Sequence, residues 1–368
     1  GFDDLGKETQ AGKPWEPISD RKIRVGLVGF GRCRFASQFS FQTHPNVEVV
    51  AVSDLIPDRC AELAKEARCE KTYPSLEKMV EDDLIEAVFV ATDAPGHVRH
   101  CITALEHGKH VACAVPACFG DVEEGERLLE AVTKSGLKYM MFETSLFRED
   151  CYAMRRAYQA GALGRIVYSE GEYYHFFGDE EIGSYNGWRH GLPPMYYPTH
   201  SMAYYIAVTG QRFTKVSCLG FRGSFKQFQP EANRYNNPFD SEIALLRTTE
   251  GGMSRIAVAW GLHGMEGEVG RVGGESGGMV GTEYKGSKQE LLPSLVRPSL
   301  PPGVDAGGHG GSHGRLTDAF VTSILTGRRP IVDIYDALNM TVPGIVAHQS
   351  ALRDGEWLDV PQYIRPSG

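Results

Sequence analysis

The apolar runs of this chain come in two rhythms. Up to residue 147 they are short and alternate with segments of helical length. An apolar run at 23–28 enters the turn Gly29-Phe30-Gly31, a helix-length segment follows, and a second apolar run at 47–52 leads to Asp54. That succession predicts strand, glycine turn, helix, strand and acid, the first βαβ unit of a doubly wound sheet. Pro57-Asp58-Arg59 then opens a helix through Ala67, with the proline in its first turn. A short helix is expected over 76–80. Residues 85–91 form an apolar run of buried-strand type. It ends in the loop Thr92-Asp93-Ala94-Pro95-Gly96-His97. A helix over 97–107 is stopped by Gly108, and a strand over 110–115 ends at Pro116. Asp121 with Glu124 forms a capping-box pattern for a helix to Ser135, closed by Gly136. A strand over 137–142 delivers Glu143 to the same sheet edge as the 92–97 loop.

After residue 147 the rhythm changes. A helix over 148–160 is ended by Gly161, and strand-like runs then follow one another without helices, at 166–177, 215–221, 241–248 and 253–260. The last two are joined by Thr249-Glu250-Gly251-Gly252, a hairpin turn. Consecutive strands of this kind predict a mostly antiparallel, open sheet. Residues 267–281 and 293–314 are rich in Gly and Pro and are expected to be loops or irregular strands. Helices are predicted over 316–325 and 332–353, and no internal repeat is present. The expected fold is an α/β Rossmann domain over 21–147 and an α+β domain over 148–368. The second carries the open sheet, and its closing helices pack back toward the first domain. Residues 1–20, polar and containing Pro14 and Pro17, are expected to form an extended N-terminal arm.

The glycine turn carries the first chemical inference. Its first glycine permits the tight bend, and its second lets a pyrophosphate approach the backbone. The helix that follows offers N–H groups and a positive dipole end to phosphates. Asp54, about twenty residues on, is placed to accept both ribose hydroxyls of an adenosine half. A carboxylate there repels a 2′-phosphate, so NAD(H) is expected rather than NADP(H). The third glycine of G-x-G-x-x-G falls at Arg34. That glycine serves helix–strand packing, so its loss is expected to shift the helix and leave the site. Gly29, Phe30, Gly31, Arg32 and Asp54 are the candidate dinucleotide contacts of this turn.

Composition narrows the partners. A net charge of −9 over 368 residues, with no basic stripe, argues against a nucleic-acid footprint. No apolar run approaches the length of a membrane span. The eight cysteines are scattered singly, without C-x-x-C pairs. Cys33, Cys60, Cys69, Cys101, Cys113, Cys118 and Cys151 look like small buried hydrophobes, not a disulfide framework or a zinc site. The chain opens on Gly rather than Met, which points to processing or trimming and leaves a removed export signal open. A soluble protein is expected, and the compartment, cytoplasmic or exported, stays open.

With these residues in place the chain resembles the glucose–fructose oxidoreductase / inositol dehydrogenase (Gfo/Idh/MocA) family. The resemblance is carried by VGFGRCR, AVSDLIPDR, VATDAPGHVRHCITALEHGKHVACAVP and PTHSMAYYIAVTG. The closing GHGGSH…LTDAFVTSILTGRRPIVDIYDALNMTVPGIVAHQSAL also fits. It implies NAD(P) bound in the first domain and a sugar or cyclitol carbon oxidised or reduced against the face of the second domain's sheet. It also implies a homo-oligomer through that open sheet. Two departures stand out. The family's E-K-P is Ala114-Val115-Pro116 here, so the lysine that holds the reacting hydroxyl is missing. The family's D-x-G-x-H is Tyr196-Tyr197-Pro198-Thr199-His200, which keeps only the histidine. At this point the chain is similar to one branch, the NAD-dependent glycosidases of the α-N-acetylgalactosaminidase type. Their Y-P-T-H, W-R and H-G-G stretches stand here as Tyr197–His200, Trp188-Arg189 and His309-Gly310-Gly311. The segment after Y-P-T-H and the AVPACFG run differ from that branch. The branch implies a redox cycle: the C3 hydroxyl is oxidised, the C2 proton becomes acidic, the aglycone leaves by elimination, water adds and the hydride returns.

Removing a hydride from a carbinol carbon requires a base for the hydroxyl proton. His200 is the first candidate, because an imidazole titrates near neutrality. Tyr197 is the second, its phenol needing a nearby positive charge. Spacing alone also allows both to serve only as the opening of a helix over 200–208. Trp188 and Arg189 suit a polyol through an aromatic face and a guanidinium fork, or else anchor a rim. Tyr173 and His175 share one strand face and Tyr174 takes the other, which makes His175 a candidate pocket residue. His309 is a candidate sugar contact through the resemblance. No Cys, Asp or Glu completes a metal set with His309 and His313, so no metal is expected. The strand-end loops add Thr92, Asp93, His97, Val115, Pro116 and Glu143 as candidate cofactor contacts. A conventional glycosidase needs two carboxylates across the bond, and no spacing here shows such a pair. The expected function is NAD-dependent hydride transfer at a sugar carbinol, as a dehydrogenase or a redox-cycling glycosidase or lyase. The alternative is a non-catalytic NAD-binding regulator or scaffold.

Overall fold

The computed structural model describes residues 14–31, 33–179 and 183–366. Of the arm expected over 1–20, residues 1–13 lie outside that set. The chain divides into two compact units. Among the described residues the first takes 14–147 and Pro298–Ala337, and the second takes Arg148–Arg297 and 338–366. The return of 298–337 to the first unit departs from a single second domain over 148–368. Its helix His313–Thr326 belongs there because it packs on the first unit's sheet: Thr317 donates to the Phe39 carbonyl at 2.6 Å, and Phe320 meets Phe142.

The first unit holds six parallel strands in the order β3-β2-β1-β4-β5-β6. They are β1 (Ile23–Val28), β2 (Val47–Ser53), β3 (Thr72–Tyr73), β4 (Ala87–Val90), β5 (His110–Ala114) and β6 (Tyr139–Phe142). The order reverses between β1 and β4, so the loops after those two strands flank the crevice where such sheets bind ligands. β4 and β6 are buried at every position.

The helix expected between the glycine turn and β2 is not there. Two single 3₁₀ turns, Phe35–Ser37 and Phe41–Thr43, take its place. Arg34 and Ser40 stand in the left-handed region, at φ 55° and 60°. The reason lies in the aromatic spacing. Phe39 and Phe41 are both fully buried, packing against Phe89 of β4 and Phe142 of β6. Residues two apart cannot share a helical face, so burying both requires a break in the helix between them, which Ser40 makes in the left-handed region. The segment is held by tertiary bonds instead, from Ser40 to the Asp305 carbonyl and from His44 to Asp318. The loss of the third glycine at Arg34 therefore goes with loss of the helix, not with a shift of it. Cys33 falls in this turn and is exposed, whereas the other six cysteines named above are buried as expected, and so is Cys218.

The second unit holds eight strands in the order β13-β12-β11-β7-β10-β9-β8-β14. They are β7 (Ile166–Tyr174), β8 (Phe213–Phe221), β9 (Ser241–Thr248), β10 (Met253–Ala259), β11 (Gly267–Gly274), β12 (Gly277–Val280), β13 (Glu283–Gly286) and β14 (Leu358–Asp359). Every neighbouring pair is antiparallel except β7 with β10. β11 and β12 run through the glycine-rich stretch expected to be irregular. Two of the sheet's glycines serve close approach. A Cβ at Gly171 would lie 1.9 Å from the Ser201 carbonyl oxygen, and one at Gly270 would lie 2.1 Å from the Tyr204 ring. The helix Thr199–Thr209, buried at every residue, lies directly on that backbone.

Candidate active site

In the first unit the candidate contacts are mostly main chain. Gly29 has φ 92°, and a Cβ there would lie 2.4 Å from the Ala91 carbonyl oxygen at the end of β4. Only glycine lets the two strand ends approach so closely. Gly31 has φ 58°, and its Cβ direction is open for at least 4 Å. That open side is where a pyrophosphate can lie against the backbone. Asp54 braces the turn. Its Oδ2 accepts from the Phe30 N–H at 2.8 Å and the Gly31 N–H at 3.4 Å, and its Oδ1 accepts from the Ile56 N–H. A carboxylate has about four acceptor positions, so it keeps capacity for ribose hydroxyls. The turn and Asp54 therefore fit NAD, but no α-helix N-terminus follows to add its dipole. Arg32 lies outside the described residues.

The β4 loop is set by two histidines. His97, 1% exposed, places Nδ1 at 2.8 Å from the Pro116 carbonyl and Nε2 at 3.2 Å from the Thr92 carbonyl. Burial opposes a charge on the ring, but the Cys113 thiol and the two carbonyls outweigh it and raise its pKa to about 9. His97 thus ties the Thr92 and Pro116 ends together and presents neither nitrogen to a ligand, which corrects its expected place among the direct cofactor contacts. Burial and the neighbouring charges of Arg99 and His97 press His100 down to about 4, so it is neutral. Arg99 can only donate to its Nε2, so Nδ1 carries the proton and donates to Thr92 Oγ1 at 2.8 Å. Thr92 keeps its own O–H to give. Asp93 is half-buried, whereas Val115, Pro116 and Glu143 are buried. Glu143 Oε1 accepts from the Ser145 N–H at 2.8 Å.

His309 belongs to this unit as well. Its Nδ1 lies 2.7 Å from His313 Nε2, and His313 Nδ1 lies 3.2 Å from the Gln38 carbonyl. Burial, with the charge of His309 adding to it, pushes His313 down to about 4. The neutral His313 therefore donates to Gln38 and accepts from His309. No group of three or more His, Cys, Asp or Glu able to hold a metal exists among the described residues.

In the second unit the candidates are side chains, and several come together. His200 is 3% exposed at the start of the helix Thr199–Thr209, and Tyr197 is half-buried three residues before it. Their rings lie 5.7 Å apart. The Tyr173 ring meets the His200 edge at 4.6 Å and lies 6.2 Å from Tyr197. Arg189 stacks its guanidinium 4.3 Å from the Trp188 ring and 5.5 Å from the Tyr197 ring. His175 lies just past β7 and is exposed. Loss of hydration lowers its pKa, with Arg189 adding to the shift and Glu266 opposing it. Tyr197, His200, Tyr173, Trp188 and Arg189 thus form one cluster, with the charge of Arg189 reaching His175. Two aromatic faces, a guanidinium, a phenol and an imidazole can together orient a polyol and take a proton.

Sequence reasoning missed the supports of this cluster. Tyr235 donates to the Trp188 carbonyl. Glu242 and His348 lie behind Met195, both buried. A signal existed in β9, where Glu242 stands in register with Ala244 and Leu246. The apolar Ile243 and Leu245 point the strand's pattern to the opposite face and hide it.

With this geometry in view, the chain can be set beside known proteins. Residues 23–143 match the family model GFO_IDH_MocA, an oxidoreductase family with an NAD-binding Rossmann fold. Over those residues the chain is similar to the Gfo/Idh/MocA oxidoreductases. Among curated relatives, Glycosyl hydrolase family 109 protein 1 of Bacteroides fragilis (strain YCH46) is 30% identical over 176 residues, 45% of this chain and 38% of that protein. An alpha-N-acetylgalactosaminidase of Bacteroides fragilis (strain ATCC 25285) is 27% identical over 265 residues, 62% of this chain and 61% of the relative. Both matches span less than two thirds of the relative's length. Among solved structures, levoglucosan dehydrogenase in complex with NADH superimposes with a TM-score of 0.74 at 19% identity, covering 93% of this chain and all of that one. That likeness shows a shared fold. No helix among the described residues is long and apolar enough to cross a membrane.

Proposed function

We propose that this chain is an NAD(H)-dependent enzyme that acts on a sugar or sugar derivative by hydride transfer at a carbinol carbon. The observation that carries the reading is the Tyr197–His200–Tyr173 cluster with Arg189 stacked between Trp188 and Tyr197. NAD, when bound, supplies the hydride acceptor. Gly29, Gly31 and Asp54 hold the adenosine and pyrophosphate portion, and Thr92, Val115, Pro116 and Glu143 line the strand ends beside it. Trp188 and Arg189 orient the sugar through an aromatic face and guanidinium donors. Tyr197 or His200 takes the hydroxyl proton as the C–H bond breaks, so no lysine is needed at Val115. The names of the curated relatives, glycosyl hydrolases and an alpha-N-acetylgalactosaminidase, favour the redox-cycling form of the reaction. In that form the same residues return the proton when the sugar is reduced again, and the net change is hydrolysis.

The test follows absorbance of reduced cofactor and release of an aryl aglycone in one cuvette, with NAD⁺ and a panel of free sugars and aryl glycosides. Aglycone release without net reduced cofactor, lost in Tyr197→Phe and His200→Ala, supports the cycle. Accumulating reduced cofactor without release makes the enzyme a dehydrogenase. Silence in both channels across the panel, with NAD bound, overturns the enzymatic reading in favour of a non-catalytic NAD-binding protein.

We propose further that a second copy of this chain covers the open face of the second unit's sheet. Leu219, Phe221, Ile243, Leu245, Val269 and Val280 stand exposed there, Phe221 at 67%. Several large apolar side chains exposed on one sheet face mark an association surface. Light scattering of the full chain and of Phe221→Glu checks it, and a monomeric wild type would sink it.

A further inference from the structure

We propose that Glu242 and His348 form a buried brace that positions Tyr197 and His200. The inference rests on the proposed function for its chemistry, though not for its geometry. Glu242 is fully buried on β9. Its Oε2 accepts from the Met195 N–H at 2.8 Å, and its Oε1 is paired with Nδ1 of His348 at 2.8 Å. His348 is 2% exposed on the helix Ile334–Ala351. Met195 lies in the 3₁₀ turn Pro194–Tyr196, two residues before Tyr197. Tyr197 donates its N–H back to the Pro194 carbonyl at 3.0 Å, and the Pro198 carbonyl accepts from the Ser201 and Met202 N–H groups. A shift at Met195 is therefore passed on to Tyr197 and to the helix start that carries His200.

The same helix touches the turn a second time. A Cβ at Gly344, one helical turn before His348, would lie 2.3 Å from the Met195 carbonyl oxygen and 2.4 Å from Pro198 Cγ. The Tyr196 ring meets the His348 edge at 5.0 Å. The turn is thus held at the Met195 N–H by Glu242 and closed at the Met195 C=O by the absence of a side chain at 344.

Glu242 lies behind the turn and acts through it, so it is a positioning residue and not a catalytic one. A neutral amide would satisfy the Met195 N–H alone. Burying a carboxylate costs several kcal/mol unless it is paired and hydrogen-bonded. Here it has a partner on each oxygen, so the acceptor that holds the Met195 N–H is itself fixed from behind by His348. Such stiffness matters where an error of about 1 Å in the reacting groups costs on the order of a hundredfold in rate.

The test uses the full chain in four forms: wild type, Glu242→Ala, Glu242→Gln and Gly344→Ala. Two readouts are taken. The ¹³C-labelled histidine Cε1–H resonance of His200, assigned by its loss in His200→Ala, reports position without any turnover. The paired assay gives kcat and KM. In Glu242→Ala the His200 resonance is expected to move, and kcat to fall at least tenfold with KM within threefold. NAD binding is expected to be unchanged. Glu242→Gln keeps an acceptor for Met195 and is expected to recover kcat to within threefold of wild type. Gly344→Ala, which leaves the carboxylate alone, is expected to move the same resonance and lower kcat. A folded Glu242→Ala with an unmoved His200 resonance and kcat within twofold of wild type overturns the brace. If Glu242→Ala does not fold, Gly344→Ala decides by the same criteria. A wild type silent toward every sugar sinks the enzymatic reading, and the resonance alone then decides the brace.

Discussion

The two sheets of this molecule present chemistry in different ways. In the first unit the strands run parallel and are buried almost throughout, so only their ends are available. Candidate ligand contacts there are largely main chain, placed by the bend at Gly29 and the open side of Gly31. In the second unit one sheet face is covered by the helix Thr199–Thr209, while the other exposes apolar side chains. Candidate contacts there are the side chains of Tyr173, Tyr197, His200 and Arg189. A main-chain site depends on conformation and tolerates many side chains. A side-chain site can be lost with one functional group.

The sharpest way to break that contrast is to change both sites by a few atoms. His200→Ala or Tyr197→Phe is expected to lower hydride transfer by about 10²- to 10⁴-fold with the fold intact. Gly31→Ala places a methyl into the open side of the turn, and a left-handed alanine costs about 1–2 kcal/mol. It is expected to weaken NAD binding, read by quenching of reduced-cofactor fluorescence, while leaving Tyr197 and His200 unchanged. Were His200→Ala to keep wild-type rates, the side-chain reading of the second unit would fail.

A second contrast concerns two phenylalanines. Phe39 is fully buried between Phe89, Phe142 and His313, and Phe221 is 67% exposed. Phe39→Ala is expected to cost about 3–5 kcal/mol in urea unfolding of the first unit. Phe221→Ala is expected to change the intrinsic stability of the second unit by less than about 0.5 kcal/mol. Any larger effect of Phe221→Ala should scale with protein concentration, the signature of a second copy on that face.

These contrasts also explain what was legible in the chain. The parallel sheet could be read because strands buried on both faces have no pattern to mislead. The glycine turn could be read because only glycine makes that bend against Ala91. The segment 33–46 could not, because its length suits a helix and only the packing of Phe39 and Phe41 on one sheet shows why it is not one. The mixed sheet was legible as strands, but its faces were not. Ile243 and Leu245 are apolar and exposed, while Glu242 between Ser241 and Ile243 is polar and buried. Alternation names two faces and does not say which of them a neighbour covers. His309, placed by resemblance with the sugar contacts, sits in the first unit paired to His313, four residues on.

The smallest effect separates the charges of the open face from its apolar surface. Glu170 on β7 pairs with Arg271 of β11 and with Arg255 of β10, and accepts from Tyr168 Oη at 2.6 Å. The Arg271 hydrogen bonds lead, over an opposing contribution from burial, in holding its carboxyl at about 2. An unfolded glutamate titrates near pH 4.3. The folded chain therefore binds this proton less readily than the unfolded chain does. The stability it contributes is complete above that value and is lost as pH falls toward 2. Glu170→Gln should flatten the dependence of the urea midpoint on pH between about 4.3 and 2 and leave the apolar face untouched. Tryptophan fluorescence can follow it, since Trp188, Trp260 and Trp357 all lie in the second unit. The shift should be modest, because Arg271 is 57% exposed and water screens the pair. An acid limb unchanged in Glu170→Gln would mean that the cross-strand pairs order this face without stabilising it. The proposed association with a second copy would then rest on Leu219, Phe221 and their neighbours alone.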